Sequence, residues 1–202
     1  MVTIVDYGVG NLFSLRSSFA AIGEDVTVSA DHTVLERADK ILLPGVGAFE
    51  DAARKLRDSG LDRILKRHAQ AGKPLMGICL GMQLLFEKSY EYGCHDGLGL
   101  IPGAVVPMAG KLSQELKVPH IGWNALHLKK DCPLFAQVQD GQCVYFVHSY
   151  YADQCEDAVV ATTEYGIELT AAVARDNVLG CQFHPEKSGA VGLSILKAFA
   201  QM

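Results

Sequence analysis

The residues best placed to do chemistry are Gly77-Ile78-Cys79-Leu80-Gly81, entered from the apolar Leu75-Met76 and left through an apolar-periodic stretch that begins at Met82. Strand, tight turn with a nucleophile, then helix is the layout of a nucleophile elbow, here with cysteine in place of serine. Such a turn needs small residues two before and two after the nucleophile, because side chains there would collide with neighbouring strand and helix. It sets the sulfur at a helix N-terminus, where the dipole favours thiolate over thiol. It also directs the backbone N–H of Leu80 toward the space beside the sulfur, as one donor of an oxyanion hole. The plainer alternative is a buried cysteine filling a strand-to-helix turn. The two glycines favour the catalytic reading.

A thiol nucleophile needs a base held in one tautomer and orientation by a third group. Of seven histidines, His32 and His68 lie in polar surroundings and are expected in solvent, while His95, His120, His127 and His148 are each readable as structural. His184 ends the apolar run Leu179-Gly180-Cys181-Gln182-Phe183 and precedes Pro185-Glu186. In extended backbone, residues i and i+2 point to the same side, and a residue before proline favours extended geometry. His184 and Glu186 are therefore expected on one side of the chain, carboxylate near imidazole. Taken alone, such a pair is more often a surface pair; its weight comes from coexisting with the Cys79 turn. A second glycine-rich turn, Pro44-Gly45-Val46-Gly47, supplies the N–H of Val46 or Gly47 as a further oxyanion donor, unless it is simply a strand-to-helix turn. It lacks the spacing and the Lys-Ser/Thr of a phosphate-binding loop.

These residues need elements to position them. Short apolar runs at 2–5, 26–28, 41–43 and 75–78 have the character of parallel strands buried on both faces. Helical stretches are expected at 11–22, 49–57, 61–71 and 82–89. After about Gly97 the chain reads as strands at 104–108, 125–128, 143–147, 158–163, 169–174 and 178–183. Turn signals at Gln139-Asp140-Gly141 and Arg175-Asp176-Asn177 separate some of them. A last amphipathic helix is expected at 188–200. The fold class is α/β: one domain over 1–202, a mixed open sheet with a parallel, flavodoxin-like part flanked by helices and an antiparallel addition.

The 202 residues suffice for one domain with a substantial core. A net charge of −5, with no Lys/Arg block, gives no reason to expect nucleic acid or an anionic membrane as partner. No apolar run approaches the roughly 20 residues that span a bilayer. The N-terminus lacks the basic flank and long apolar region of a signal peptide. The six cysteines form no Cys-x-x-Cys pair and no zinc-ligand pattern, so no metal is expected, and a reducing compartment, by default the cytoplasm, is. Cys94, Cys132, Cys143, Cys155 and Cys181 are expected to serve packing.

In this order and spacing, Pro44-Gly45-Val46-Gly47, Gly77-Ile78-Cys79-Leu80-Gly81-Met82-Gln83 and His184-Pro185-Glu186 resemble the class I glutamine amidotransferases, over nearly the whole chain. The resemblance implies a γ-glutamyl thioester on Cys79, ammonia passed to a synthase, no cofactor, and Gly47, Gln83, Ser149 and Tyr150 around the substrate glutamine. Four further segments are similar to the branch of that family whose glutaminases serve a (β/α)8-barrel cyclase of histidine biosynthesis. They are residues 6–12, 119–124, 146–150 and 182–188. That likeness implies a heterodimer with the cyclase, with Asn11, Trp123, Asn124 and Lys187 facing it. From the residues alone these four have plainer roles: Trp123 as core, Lys187 as a solvated charge. Rival readings are a glutaminase subunit of another amidotransferase, a stand-alone cysteine hydrolase of γ-glutamyl bonds, and a scaffold that has lost catalysis.

Overall fold

Alternation of fully apolar runs with amphipathic ones gives the first half of the chain its βα rhythm. The computed structural model describes residues 1–113 and 116–202. In it β1 (Val2–Val5), β2 (Val26–Ser29), β3 (Lys40–Leu43) and β4 (Leu75–Ile78) are parallel, connected through α1 (Leu12–Ala21), α2 (His32–Arg37), α3 (Phe49–Asp58) and α4 (Leu61–Gln70). Alternate strand residues serve two cores. Val5, Ile41, Leu43 and Leu75 pack with Phe49, Leu56 and Leu65 on one face, whereas Ile4, Leu42 and Met76 pack with Phe19, Leu196 and Phe199 on the other. Sheet faces covered by helices on both sides explain why β1, β3 and β4 carry no polar alternation. β2 differs from the expectation: it is the sheet edge and only half buried.

The second half supplies α5 (Leu80–Gln83), β5 (Phe86–Ser89), β6 (His95–Asp96), β7 (Ile101–Pro107), β8 (His120–Ala125), β9 (His127–Leu128), β10 (Cys143–His148), β11 (Tyr150–Asp153), β12 (Val159–Glu164), β13 (Glu168–Arg175), β14 (Val178–Cys181) and α6 (Gly189–Gln201). One mixed sheet runs in the order β2-β1-β3-β4-β14-β13-β12-β9, parallel as far as β14 and antiparallel beyond it. A four-stranded sheet, β11-β7-β5-β6, and the pair β10-β8 complete the addition. The Asp176-Asn177 turn closes the β13–β14 hairpin, with Asp176 at φ 53.

The expected helix at 82–89 is not formed. Only the single turn α5 is helical, and 86–89 is strand β5. Leu84, Leu85 and Phe86 are all fully buried, so the run has no polar face to offer as a surface helix. Their carbonyls are captured instead by the next segment: Leu98 N donates to Leu84 O, Leu100 N to Leu85 O and Gly99 N to Phe86 O. His68 also departs from expectation. It is buried, its Nε2 donating to Pro74 O at 3.1 Å, because α4 ends over the start of β4. Cys94 and Cys143 are exposed, contrary to a packing role, while Cys132, Cys155 and Cys181 are buried.

What matters for function is which strand ends meet. β3, β4 and β14 are adjacent and parallel, with Leu43 paired to Gly77 and Gly77 paired to Gly180. The glycine turn after β3, Cys79 after β4 and His184 after β14 therefore emerge side by side at the carboxyl ends of strands, where open α/β sheets bind ligands.

Candidate active site

Cys79 leaves β4 with its N–H donating to Cys181 O at 2.8 Å and then turns sharply, at φ 53 and ψ −113. A non-glycine residue there stores about 1–3 kcal/mol of strain. Sterics show what holds it. A Cβ on Gly77 would lie 2.5 Å from Gly81 O, and one on Gly81 would overlap Leu43 O. A Cβ on Gly45 would meet Gly81 N at 2.7 Å and the Tyr7 hydroxyl at 2.9 Å. The turn is thus wedged between β3 and β4 and tolerates no side chain at either flanking glycine.

His184 stands at the end of β14 in extended geometry, φ −99 and ψ 98, and a 3-10 turn over Pro185–Lys187 follows. That turn carries Glu186 back under the ring, so that His184 Nδ1 donates to Glu186 Oε1 at 2.8 Å. Cys79 lies close enough on the other side to act on the ring's titration. Both dyad side chains are almost completely buried, at 3% and 2% exposure. Burial pulls the imidazole pKa down, but the hydrogen bonds and charges of Cys79 and Glu186 outweigh it and raise the ring to about 9. The position is fixed from behind as well. His184 N donates to Tyr145 O, and Ser188 Oγ donates to His184 O while accepting from Tyr145 N.

A cavity of about 590 Å³ opens over these groups. Of the residues singled out in the sequence, Val46, Gly47, Cys79, Leu80, Gln83, Ser149, Tyr150, His184 and Lys187 line it. Glu186 sits behind His184. Asn11, Trp123 and Asn124 lie outside the lining: Asn11 caps α1 through its Oδ1, Trp123 is 54% exposed and edge-on to Tyr145, and Asn124 has its amide engaged internally. Gly47 has φ +99 with open space where a Cβ would stand, so the backbone conformation and not crowding asks for glycine there. Val46 beside it is 41% exposed.

Gln83 spends both amide protons inward, on Tyr150 O at 3.2 Å and Gln182 Oε1 at 2.9 Å, which leaves its carbonyl oxygen as an acceptor. Gln182, fully buried, in turn donates to Cys79 Sγ at 3.7 Å. Sequence reasoning missed Gln182, although its adjacency to Phe183-His184 was a signal. It also missed Tyr7, whose hydroxyl donates to Pro44 O at 2.8 Å and braces the glycine turn. Burial, and then the charge of Cys79, push the Tyr7 phenol far above its ordinary pKa, so it stays a donor. Glu91, which lines the cavity and accepts from Phe49 N, stood in no motif. Cys181 is no rival nucleophile: burial, and the nearby charges of Glu186 and Cys79, push its thiol well above the ordinary value.

A thiol beside a buried histidine–glutamate dyad suits attack on a carboxamide or ester carbonyl, and the same pairing serves several hydrolase families. Comparison with known proteins narrows this. A family model described as glutamine amidotransferase class-I matches residues 3–201. The chain belongs to the class-I glutamine amidotransferase family. Among relatives of this amidotransferase, imidazole glycerol phosphate synthase subunit HisH of Syntrophotalea carbinolica is 49% identical over 207 residues, covering 100% of both chains. The subunit of the same name from Caldanaerobacter subterraneus is 49% identical over 203 residues, covering 100% of this chain and 98% of its own. Solved structures at lower identity share the fold. PurLQS from Thermotoga maritima has a TM-score of 0.75 at 21% identity, covering 99% of this chain and 97% of that one. The glutaminase domain of Trypanosoma brucei CTPS with bound acivicin has a TM-score of 0.68 at 16% identity, covering 99% and 93%. Among the described residues no helix is long and apolar enough to cross a membrane.

Proposed function

We propose that this amidotransferase is the glutaminase subunit of an imidazole glycerol phosphate synthase, one domain over 1–202 that hydrolyses glutamine and hands the ammonia to a cyclase subunit. The observation that carries the reading is the meeting of Cys79, at its strained turn, with the buried His184–Glu186 dyad at one cavity, in a chain matched end to end by such subunits.

In the proposed reaction His184 takes the Cys79 thiol proton, and the sulfur attacks the side-chain carbonyl of glutamine. The negative oxygen is held by the N–H of Leu80 and by that of Val46 or Gly47, which Tyr7 steadies through Pro44. Protonated His184 gives its proton to the departing nitrogen as the C–N bond breaks, leaving ammonia and a thioester. Water activated by His184 then releases glutamate and restores the thiol. Glu186 keeps the ring in one tautomer and stabilises its cation. At the other end of the substrate, Glu91 is the one carboxylate among the described residues that line the cavity and the natural partner for an α-ammonium group, with Gln83, Gly47, Ser149 and Tyr150 around it.

The partner is a cyclase subunit, expected to be a (β/α)8 barrel, and the face it would use bears Asn11, Trp123, Asn124 and Lys187. Ile121 and Trp123 on β8 are 58% and 54% exposed, an apolar surface of the kind interfaces cover. Glutamate release by the pure chain, with and without the cyclase and its ribulosyl-nucleotide substrate, tests the reading. Strong stimulation is expected. Cys79→Ala should abolish glutamine-dependent synthesis by the complex and leave synthesis from added ammonia; loss of both would make Cys79 structural.

A further inference from the structure

His120 and His148 face each other inside the protein, and their hydrogen bonds do not close with two neutral rings. His148 Nδ1 lies 2.9 Å from Tyr150 O, a carbonyl that can only accept, so this nitrogen carries a proton. Asn124 Nδ2 donates to Glu164 O, which turns Asn124 Oδ1 toward His120 Nε2 at 2.8 Å, so that nitrogen carries a proton too. The two remaining nitrogens, His120 Nδ1 and His148 Nε2, are 3.0 Å apart. If both rings are neutral, two lone pairs confront each other there, and one of the outer bonds must break to relieve them. A third proton satisfies every contact at once.

We propose that His120 and His148 share one added proton, and that this buried imidazole–imidazolium pair is a positioning unit tying strand β8 to the cavity wall and, through it, to the Cys79 sulfur. The connection is continuous. Tyr150 O accepts from His148 and also from Gln83, Gln83 donates to Gln182, and Gln182 donates to Cys79. At the other end β8 is the strand of exposed Ile121 and Trp123. His120 is stacked between Phe146 and Tyr165, ring centroids at 5.0 and 4.1 Å, and the π faces favour a cation. Burial opposes it, lowering His120 and holding His148 down to about 4, with the hydrogen bond to Tyr150 O pulling the other way. Among the described residues, the titratable groups facing the pair are His184, whose charge disfavours a second cation, and Tyr165; Cys79, Glu91, Tyr92 and Lys187 share the cavity with His148. Loss of the proton parts the rings, so the connection holds at lower pH and fails as pH rises.

The test has two arms, and only the kinetic one rests on the glutaminase reading. In the full chain labelled with ¹⁵N-histidine, imidazole spectra followed from mildly acidic to alkaline pH should show one proton coupled to both His120 Nδ1 and His148 Nε2, vanishing as pH rises. Two unprotonated nitrogens throughout would overturn the proposal. In the complex, kcat/KM for glutamine should fall several-fold at the pH where that proton leaves, apart from any inflection of His184. His120→Asn places an uncharged amide donor where Nδ1 stood, supplies the missing bond without a third proton, and should remove this inflection. The same inflection persisting in His120→Asn would refute the positioning role. Should that variant not fold, the spectra of the unaltered chain decide. If that chain releases no glutamate at all, the function assignment fails while the spectra still decide the shared proton.

Discussion

Glu186 and Cys79 can be removed one at a time, and the ring between them reports the result. Burial alone drives an imidazole toward its neutral form, yet His184 sits at about 9 instead of 6.5 because both neighbours override burial. That difference corresponds to about 3 kcal/mol in favour of the imidazolium. Solvent screening takes little from it, since the dyad side chains are 3% and 2% exposed. Cys79→Ala and Glu186→Gln should each lower the ring's pKa. In the double variant only burial and an uncharged hydrogen-bond partner remain, and the pKa should drop below 6.5.

The stability consequence changes sign between these proteins. With a folded pKa above the unfolded one, His184 contributes stability that is fully present below 6.5 and is lost as pH rises through about 9. With a folded pKa below the unfolded one, the same ring contributes stability above 6.5 that is lost as pH falls. NMR titration of the His184 ring, with urea unfolding at about pH 6 and about pH 10, reads both effects. Replacing a charge-assisted bond of about 1.5–3 kcal/mol by a neutral one of about 0.5–1.5 kcal/mol should also cost Glu186→Gln about 5- to 10-fold in kcat/KM. A double variant whose ring still titrates at or above 6.5 would refute the reasoning, as would Cys79→Ala leaving the ring at about 9.

Gly81→Ala drives a methyl into Leu43 O and should cost more than about 4 kcal/mol or prevent folding, while Gly72→Ala, at φ 74 in open space, should cost only about 1 kcal/mol; urea denaturation compares them. Tyr7→Phe leaves Pro44 O without its donor and should destabilise by about 1–3 kcal/mol, with kcat falling more than KM changes, because the brace acts on the turn proposed to hold the oxyanion.

The parallel half of the fold was legible because buried strands are continuous apolar runs and their helices are amphipathic. Leu84-Leu85-Phe86 misled because an apolar run has no period: it fits a helix against a core as well as a strand inside one, and only the capture of its carbonyls by residues 98–100 decides. His68 looked solvated because its sequence neighbours are polar, whereas its ring turns inward over Pro74. The Cys79 turn and the His184–Glu186 link were legible as short-range patterns. The dyad nevertheless forms by a route other than the one inferred, with extended geometry at His184 only and a 3-10 turn returning the carboxylate. Tyr7 and Glu91 act through contacts across 37 and 42 residues, for which a single sequence carries no local signal, and Gln182, though it adjoins Phe183-His184, reaches Cys79 across 103 residues.

Gly180 shows how such a site constrains positions far from it. It lies inside β14, at no turn, and its place in a buried strand would ordinarily favour a β-branched side chain. Yet it pairs in register with Gly77 of β4, and the two missing side chains form a trough. A Cβ on Gly77 would strike the Gly81 backbone and Met82 N, and a Cβ on Gly180 would lie 2.6 Å from Met82 Cγ. The single helical turn after Cys79 lies in that trough, pressed from the far side by Leu43 and Gly45. The strained backbone of Cys79 is therefore held by three strands at once, and two of them also deliver the glycine turn and His184. The crowding that forbids side chains at Gly45, Gly77, Gly81 and Gly180 is the same crowding that brings sulfur, imidazole and the glycine turn to one cavity.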